Sequence, residues 1–266
     1  MITAENLLSM KVFDMIITLC GKGGCGKSTT ATLLAKEFVR EGKPVLVIDT
    51  DESNFGLHRQ LGMELPKDFT QYFGGKQGIL EKVMGKAKFQ NDFFDHKWKI
   101  SDIPSEYLSE KDGVKLLAIG KIHESGEGCA CPMGIIARQF ISNLKLDPNE
   151  VVITDTEAGI EHFGRGVETD VDAILMVIDP SYESLQLSAK VAELSESIHK
   201  PLYYVLNKVN ASNESLMKEA VKDKSKIIAV IPTNDSISMA GLKGDELNAE
   251  WSGIKGLADF LSENVC

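Results

Sequence analysis

The segment that most constrains this fold is glycine-rich and runs from Gly21 to Ser28, directly after an apolar run at residues 16–20. Its sequence, GKGGCGKS, fits the phosphate-loop pattern G-x-x-x-x-G-K-[ST]. The glycines let successive backbone N–H groups turn inward around phosphate oxygens, and the helix that follows adds the positive end of its dipole. The segment therefore predicts a strand, a phosphate-binding loop and a helix, in that order.

The loop also predicts which side chains meet the phosphates. Lys27 would place its charge on the β- and γ-phosphates and act in catalysis, and the Ser28 hydroxyl would ligate Mg²⁺. The expected cofactors are therefore ATP or ADP with Mg²⁺. A glycine-rich turn without function is the alternative, but every fixed position of the pattern is matched. The loop residues predicted to bind the nucleotide are Gly23, Gly24, Cys25, Gly26, Lys27, Ser28 and Thr29.

Lys22 is a second lysine, directly after the first glycine of the loop. The sequence Gly-Lys-Gly-Gly-x-Gly-Lys-Ser resembles the deviant phosphate loop of the class that contains the nitrogenase iron protein, the Min and Par positioning ATPases and the tail-anchored-protein targeting ATPase. In that class the extra lysine reaches the partner's nucleotide, so the resemblance implies an ATP-dependent homodimer with Lys22 catalytic. Such a cation would neutralise charge on the transferred phosphoryl group. A solvated loop lysine is the alternative.

Composition limits the partners. The chain has 266 residues and a net charge of −10, from 39 acidic and 29 basic residues, which argues against a broad nucleic-acid or anionic-lipid surface. No apolar run approaches the ~18 residues that cross a bilayer, and the start lacks the pattern of a signal peptide. We expect a cytoplasmic protein with no nucleic-acid and no membrane partner. Its five cysteines are expected to be thiols or metal ligands.

Apolar runs alternate with helical patterns along the chain, which predicts an α/β fold: a P-loop NTPase with a mostly parallel sheet of about seven strands flanked by helices. We expect a single ATPase domain over residues 1–266, in which 52–128 is the least legible part and is expected to serve partner contacts. The predicted strands lie at 16–20, 45–48, 114–119, 151–155, 173–179, 202–208 and 227–231.

Acidic residues follow two of these strands, where ligands bind in parallel sheets. In the resembled class the second acid of D-x-D, here Asp51, positions the attacking water, and Asp49 would lie close to Mg²⁺. Asp155 would hold the water shell of that ion. The run from Asp155 to His162 is typical of a nucleotide-sensing switch, although His162 itself is equally consistent with a plain surface residue. The alternative is that these acids only cap turns.

Two later segments are candidates for the adenine pocket. Asn207 ends the strand at 202–208, and its amide can both donate and accept, which matches the adenine edge. Pro232 and Asp235 belong to a turn that resembles the I-P-x-x-D turn lining the base pocket of the class. A helix cap and an ordinary turn are the alternatives.

Cys129 and Cys131 form a pair that would point the same way in an extended segment ended by Pro132. Two thiolates make half of a tetrahedral or square-planar site for Ni²⁺ or Zn²⁺, and a dimer axis would supply the other half. The alternative is two small buried residues in a turn.

The loop, the Cys129-x-Cys131-Pro132 segment and the run Asp155–His162 together resemble the CooC-type maturation ATPases. This resemblance covers most of the chain apart from its start and residues 53–99. It implies a nickel-insertion role with carbon monoxide dehydrogenase or acetyl-CoA synthase as the client. Two other functions stay open: a Min/Par-like positioning or partition ATPase, and a redox-responsive binding module in which the cysteines form a disulfide.

Overall fold

The architecture is an eight-stranded sheet covered by helices on both faces. The computed structural model describes residues 14–84, 93–124, 131–248 and 251–265. Its strands are β1 Met15–Cys20, β2 Val45–Asp49, β3 Leu108–Lys111, β4 Val114–Ala118, β5 Val151–Asp155, β6 Ala173–Ile178, β7 Leu202–Val209 and β8 Ile227–Pro232. They lie in the order β3-β4-β2-β5-β1-β6-β7-β8.

All seven predicted strands are present, and they pair in parallel. Most residues of the central strands β1, β2, β5 and β6 are buried, which explains why they read as continuous apolar runs. The parallel arrangement brings the carboxyl ends of these strands to one edge of the sheet. That edge carries the phosphate loop and the predicted acids.

The eighth strand, β3, was not predicted. It pairs antiparallel with β4 at the sheet edge, from Leu108 opposite Leu117 to Lys111 opposite Val114. The two residues between them have positive φ, 49° at Asp112 and 84° at Gly113, as a tight two-residue hairpin requires. Because an edge strand is only partly buried, its sequence Leu-Ser-Glu-Lys shows no apolar run.

Helices cover both faces of this sheet. The core on one face includes β1 residues Met15, Ile17 and Leu19, and the other includes Ile16 and Cys20, as the two-residue period of a strand dictates. The helices are α1 Lys27–Arg40, α2 Leu57–Gln60, α3 Gly75–Met84, α4 Cys131–Asn143, α5 Glu161–Arg165, α6 Tyr182–Ser197, α7 Glu214–Ala220, α8 Asp235–Lys243 and α9 Ser252–Asn264.

The described part of residues 52–128 is joined to the core by aromatic packing. The Phe69 ring lies 5.2 Å from Phe140 of α4, 6.1 Å from Trp98 and 5.7 Å from Tyr107, measured between ring centroids. Phe94 and Trp98 are buried, so the aromatic residues of this region contribute to the hydrophobic core. Within the described ranges, no helix combines the length and apolar character that crossing a membrane requires.

Candidate nucleotide-binding site

A cavity of about 700 Å³ opens at the carboxyl edge of the sheet, above the loop between β1 and α1. Its walls come from the loop, from the segment after β2, from the end of β7 and from the turn after β8. The predicted site residues that line it are Gly23, Gly24, Gly26, Lys27, Ser28, Thr29, Asp51, Asn207 and Pro232.

Two glycines of the loop are required by its geometry. Gly21 has φ +146°, and a Cβ there would lie 2.5 Å from the carbonyl oxygen of Val177. Gly26 has φ +104°, and its Cβ would approach Nδ2 of Asn207 more closely than 3.0 Å. Positive φ is disfavoured for residues with a Cβ, so both positions combine backbone strain with a clash. These two glycines of the motif are therefore required both by the loop conformation and by the close packing of the loop against Val177 and Asn207.

Lys27 is buried at the start of α1 and points back over the loop. Its Nζ lies 3.3 Å from the carbonyl oxygen of Gly21 and 3.4 Å from that of Lys22, both long for hydrogen bonds. A phosphate oxygen would be a stronger, charge-assisted acceptor than either carbonyl. The position of Lys27 is thus suited to phosphate binding.

Ser28, Asp155 and Asn54 form a connected polar group beside the loop. Ser28 Oγ donates to Asp155 Oδ2 at 2.6 Å and accepts from Asn54 Nδ2 at 2.8 Å. Asp155 Oδ1 is buried and has no hydrogen-bond partner among the described residues. Burial raises the pKa of Asp155 to about 6, while the Ser28 hydrogen bond opposes this rise. A hydroxyl beside an unpartnered carboxylate oxygen fits Mg²⁺ and its bound waters.

Asp51 lies in the same cavity wall and is oriented by a local turn. Its Oδ1 accepts from the Ser53 N–H at 2.9 Å, from Ser53 Oγ at 2.7 Å and from the Asn54 N–H at 3.2 Å. These bonds form an Asx-type turn that holds the carboxylate beside the loop. Only 8% of Asp51 is exposed, so a water bound to it would be largely shielded from bulk solvent.

Asp49 is engaged by protein groups on both oxygens. Oδ1 accepts from the Asp51 N–H at 3.1 Å, and Oδ2 pairs with Lys121 Nζ at 2.6 Å. Burial raises the pKa of Asp49, and the adjacent Lys121 cation opposes this. The structure thus places Asp49 behind the Asp51 turn, and an Mg²⁺ ion would have to displace one of these partners to reach it directly. Sequence reasoning missed Lys121, because an isolated lysine after a strand carries no signal.

Lys22 is held within its own chain. Its Nζ donates to Ser181 Oγ at 3.2 Å and lies 3.8 Å from Asp179 Oδ2, just beyond the end of β6. The Lys22 side chain is 36% exposed. Neither Asp179 nor Ser181 was identified from the sequence, because their link to the loop exists only after β1 and β6 pair.

Asn207 supports the loop from behind as well as lining the cavity. Its Nδ2 donates to the carbonyl oxygen of Cys25 at 2.8 Å, and its Oδ1 accepts from the Lys208 N–H at 2.9 Å. Lys208 Nζ in turn donates to the carbonyl oxygen of Gly24 at 2.6 Å. Cys25 itself is buried, and burial raises the pKa of its thiol to about 11. Cys25 therefore contributes its backbone to the site.

The turn after β8 is a helix cap as well as a cavity wall. Asn234 Oδ1 accepts from the N–H groups of Ser236 and Ile237 at 2.9 and 3.2 Å, so the cap of α8 is Asn234. Asp235 is the exposed first residue of α8, whereas Pro232 lines the cavity. Asp235 as a base-binding residue stays a prediction.

The switch segment after β5 contacts the loop directly. The Gly159 N–H donates to the carbonyl oxygen of Gly21 at 3.2 Å. His162, expected equally as a surface residue, is only 2% exposed. Its Nε2 lies 3.1 Å from the carbonyl oxygen of Gly159, and its Nδ1 is hydrogen-bonded to the buried Glu168. His162 is therefore part of the support beneath the switch.

The predicted metal pair is only partly described. Cys129 lies outside the described residues, whereas Cys131 is exposed at the first position of α4 and is disulfide-bonded. Cys131 and Pro132 are thus helical, whereas the sequence predicted that Cys131 lies in an extended segment ended by Pro132. In the described ranges no three His, Cys, Asp or Glu residues are grouped to hold a metal. The metal site stays a prediction and requires reduced thiols.

The chain is similar to known nucleotide-binding proteins over most of its length. Residues 16–247 match the family model described as the CobQ/CobB/MinD/ParA nucleotide binding domain. An uncharacterized ATP-binding protein of Methanocaldococcus jannaschii is 54% identical over 250 residues, which cover 94% of this chain and all of the relative. The carbon monoxide dehydrogenase accessory protein CooC of Rhodospirillum rubrum is 30% identical over 232 residues, covering 86% and 89% of the two chains. The structure of the septum site-determining protein MinD from Pyrococcus horikoshii, complexed with Mg-ADP, has a TM-score of 0.68 at 17% identity, covering 94% and 97%.

Proposed function

Because the chain belongs to the CobQ/CobB/MinD/ParA family of P-loop ATPases, we propose that it is a nickel-handling ATPase that assists metal insertion into carbon monoxide dehydrogenase or acetyl-CoA synthase. The observation that carries the proposal is an exposed cysteine of the Cys129-x-Cys131-Pro132 segment at the start of α4, in a chain 30% identical to a CooC accessory protein. In this proposal nickel is the cargo, whereas Mg-ATP is the cofactor.

The nucleotide step uses the cavity at the carboxyl edge. The loop N–H groups and Lys27 would bind the phosphates, while the Ser28 hydroxyl would ligate Mg²⁺ and Asp155 would hold the water shell of that ion. When bound, Mg²⁺ neutralises charge on the phosphates. Asp51 orients the attacking water, and its carboxylate is already fixed by three hydrogen bonds. The arrangement supports phosphoryl transfer to water.

The dimer step uses Lys22. Because its pair with Asp179 is long, at 3.8 Å, and partly exposed, the pair contributes about 0–1 kcal/mol. Lys22 can therefore leave Asp179 and Ser181 at low cost when a second chain presents a more negative nucleotide. Two chains joined in this way would bring their cysteine pairs together at the twofold axis.

The metal step uses the thiolates of Cys129 and Cys131. Two such pairs provide four sulfur ligands, a set that suits Ni²⁺ in square-planar geometry or Zn²⁺ in tetrahedral geometry. Hydrolysis weakens the bound dimer, so the shared site loses half of its ligands and releases the ion to the client. Nucleotide binding thus selects between two states of one interface.

A Min/Par-like positioning ATPase is the second candidate, favoured by a family model that includes MinD and ParA. Its membrane-binding form would require a free amphipathic helix. Among the described helices, α9 does not present such a free apolar face, because Ile254, Leu257, Ala258 and Leu261 are buried in the core. The net charge of −10 also opposes binding to DNA or anionic lipid.

The proposal is tested by metal titration of the reduced protein with Mg²⁺ and a non-hydrolysable ATP analogue. We expect one Ni²⁺ or Zn²⁺ ion per two chains, lost in Cys129→Ala and in Cys131→Ala and retained in the control Cys266→Ala. Binding that survives both substitutions would refute it. Salt-sensitive binding to DNA or to anionic vesicles, without stoichiometric metal uptake, would establish the positioning function instead.

A further inference from the structure

Lys121 is a completely buried cation at the carboxyl edge of the sheet, just beyond β4. Its side chain is 0% exposed, and its Nζ donates to Asp49 Oδ2 at 2.6 Å and to the carbonyl oxygens of Asp51 and Asn54 at 2.5 and 2.6 Å. An ammonium group has three protons, so these acceptors use its full donor capacity. A buried charge is tolerated only when it is paired in this way.

All three acceptors belong to one short segment, residues 49–54, which starts at the last residue of β2. The backbone of this segment also accepts two hydrogen bonds from the residues on either side of Lys121. The Ile119 N–H donates to the Asp49 carbonyl oxygen at 2.9 Å, and the Ile122 N–H donates to the Glu52 carbonyl oxygen at 3.0 Å. These bonds fix where the segment runs. The Lys121 ammonium additionally fixes the direction in which the Asp51 and Asn54 peptide groups point.

The segment oriented by Lys121 reaches the cavity at two places. Asp51 presents its carboxylate to the cavity, and Asn54 donates its side-chain amide to Ser28. Rotation of either peptide group would move these side chains. A hydrophobic side chain of similar length would fill the space but would leave two carbonyl oxygens and one carboxylate oxygen without a donor.

From this geometry we infer that Lys121 is a positioning residue for ATP hydrolysis, acting through the carboxylate of Asp51. The inference rests on the proposed role of Asp51 as the residue that orients the water. It does not depend on nickel binding. The positive charge of Lys121 also acts on Asp49 and Asp155, because it lowers the pKa of both carboxyl groups and so opposes the effect of burial.

The test is the kinetics of Lys121→Met. We expect kcat for ATP hydrolysis to fall by about 100-fold, because a displaced catalytic group costs about that much, while the Kd for Mg-ADP changes by less than about threefold. The matched control is Lys36→Met on α1, which removes a partly buried ion pair with Glu246; neither residue lines the cavity. The control should lose stability and keep kcat.

Two double variants separate positioning from simple destabilisation. Lys121→Met with Asp49→Asn removes both buried charges, so thermal stability should recover while kcat stays low. Lys121→Met with Asp51→Asn should be no slower than Asp51→Asn alone, because both changes disable the same function. Recovery of kcat in the first variant, or a further fall of kcat in the second, would overturn the inference. A chain that hydrolyses ATP in this Lys121-dependent manner but binds no nickel would overturn the nickel-handling function and leave the inference standing.

Discussion

Gly26→Ala tests the packing of the phosphate loop against β7. The backbone of Gly26 has φ +104°, and an added Cβ would displace the Asn207 side-chain amide from its place. That amide donates to the Cys25 carbonyl at 2.8 Å in a buried position. The substitution therefore both strains the backbone at residue 26 and breaks the buried hydrogen bond between Asn207 and the Cys25 carbonyl oxygen.

The expected magnitude follows from these two contributions. The left-handed backbone costs about 1–2 kcal/mol for a residue with a Cβ, and leaving a buried carbonyl oxygen unpaired costs about 1–3 kcal/mol. We expect Gly26→Ala to lower the free energy of unfolding by about 3 kcal/mol. Gly24→Ala is the matched control, because Gly24 also has positive φ, +76°, while its Cβ would meet no described atom within 4 Å. It should cost about 1–2 kcal/mol, the strain alone.

Urea unfolding of the nucleotide-free protein measures both variants, and a double variant identifies the clash. Gly26→Ala combined with Asn207→Ala has no amide to displace, so its loss should be smaller than the sum of the single losses by about 1–2 kcal/mol. The reasoning is refuted if Gly26→Ala costs no more than Gly24→Ala, or if the losses of Gly26→Ala and Asn207→Ala simply add.

Three further predictions concern the buried acids. Burial raises the pKa of Asp155 from 3.8 to about 6. The free energy of unfolding of the nucleotide-free protein should therefore fall as pH rises from about 4 to 6. In this range the unfolded state has already lost the Asp155 proton, whereas the folded state must still release it. Mg²⁺ binding in the presence of ADP, followed by calorimetry, should strengthen over pH 5–7 in part because it needs the ionised Asp155 carboxylate. Asp155→Asn should therefore reduce this dependence to the part contributed by the phosphate of ADP. His162→Leu leaves the buried Glu168 carboxylate unpaired and should cost about 3–5 kcal/mol in urea unfolding. The control His96→Leu removes an exposed pair with Asp95 and should cost at most about 1 kcal/mol. An equal loss in both histidine variants would contradict the assigned burial.

The parallel sheet was predictable because its central strands are buried on both faces and read as apolar runs. β3 was not, since only one side of an edge strand meets the core. The loop motif identified Lys27 and Ser28 because each position has a geometric requirement that few residue types satisfy.

The supporting contacts were not predictable from the sequence. Lys121 meets Asp49 only because β4 lies beside β2, and Lys22 meets Asp179 only because β6 lies beside β1. His162 could not be assigned to the interior, because its partner Glu168 is an acid that sequence patterns place at the surface. Contacts between residues distant in sequence depend on strand order, which periodicity does not specify.

The proposed mechanism depends on ATP joining two chains through Lys22. Sedimentation velocity of the reduced protein with Mg²⁺ and a non-hydrolysable ATP analogue tests it most directly, with Mg-ADP and Lys22→Ala as comparisons. The account predicts twice the chain mass for the wild-type protein with the ATP analogue, and a single-chain mass in both comparisons. A single-chain mass for the wild-type protein with the ATP analogue, or a Lys22→Ala variant that still doubles in mass, would contradict it.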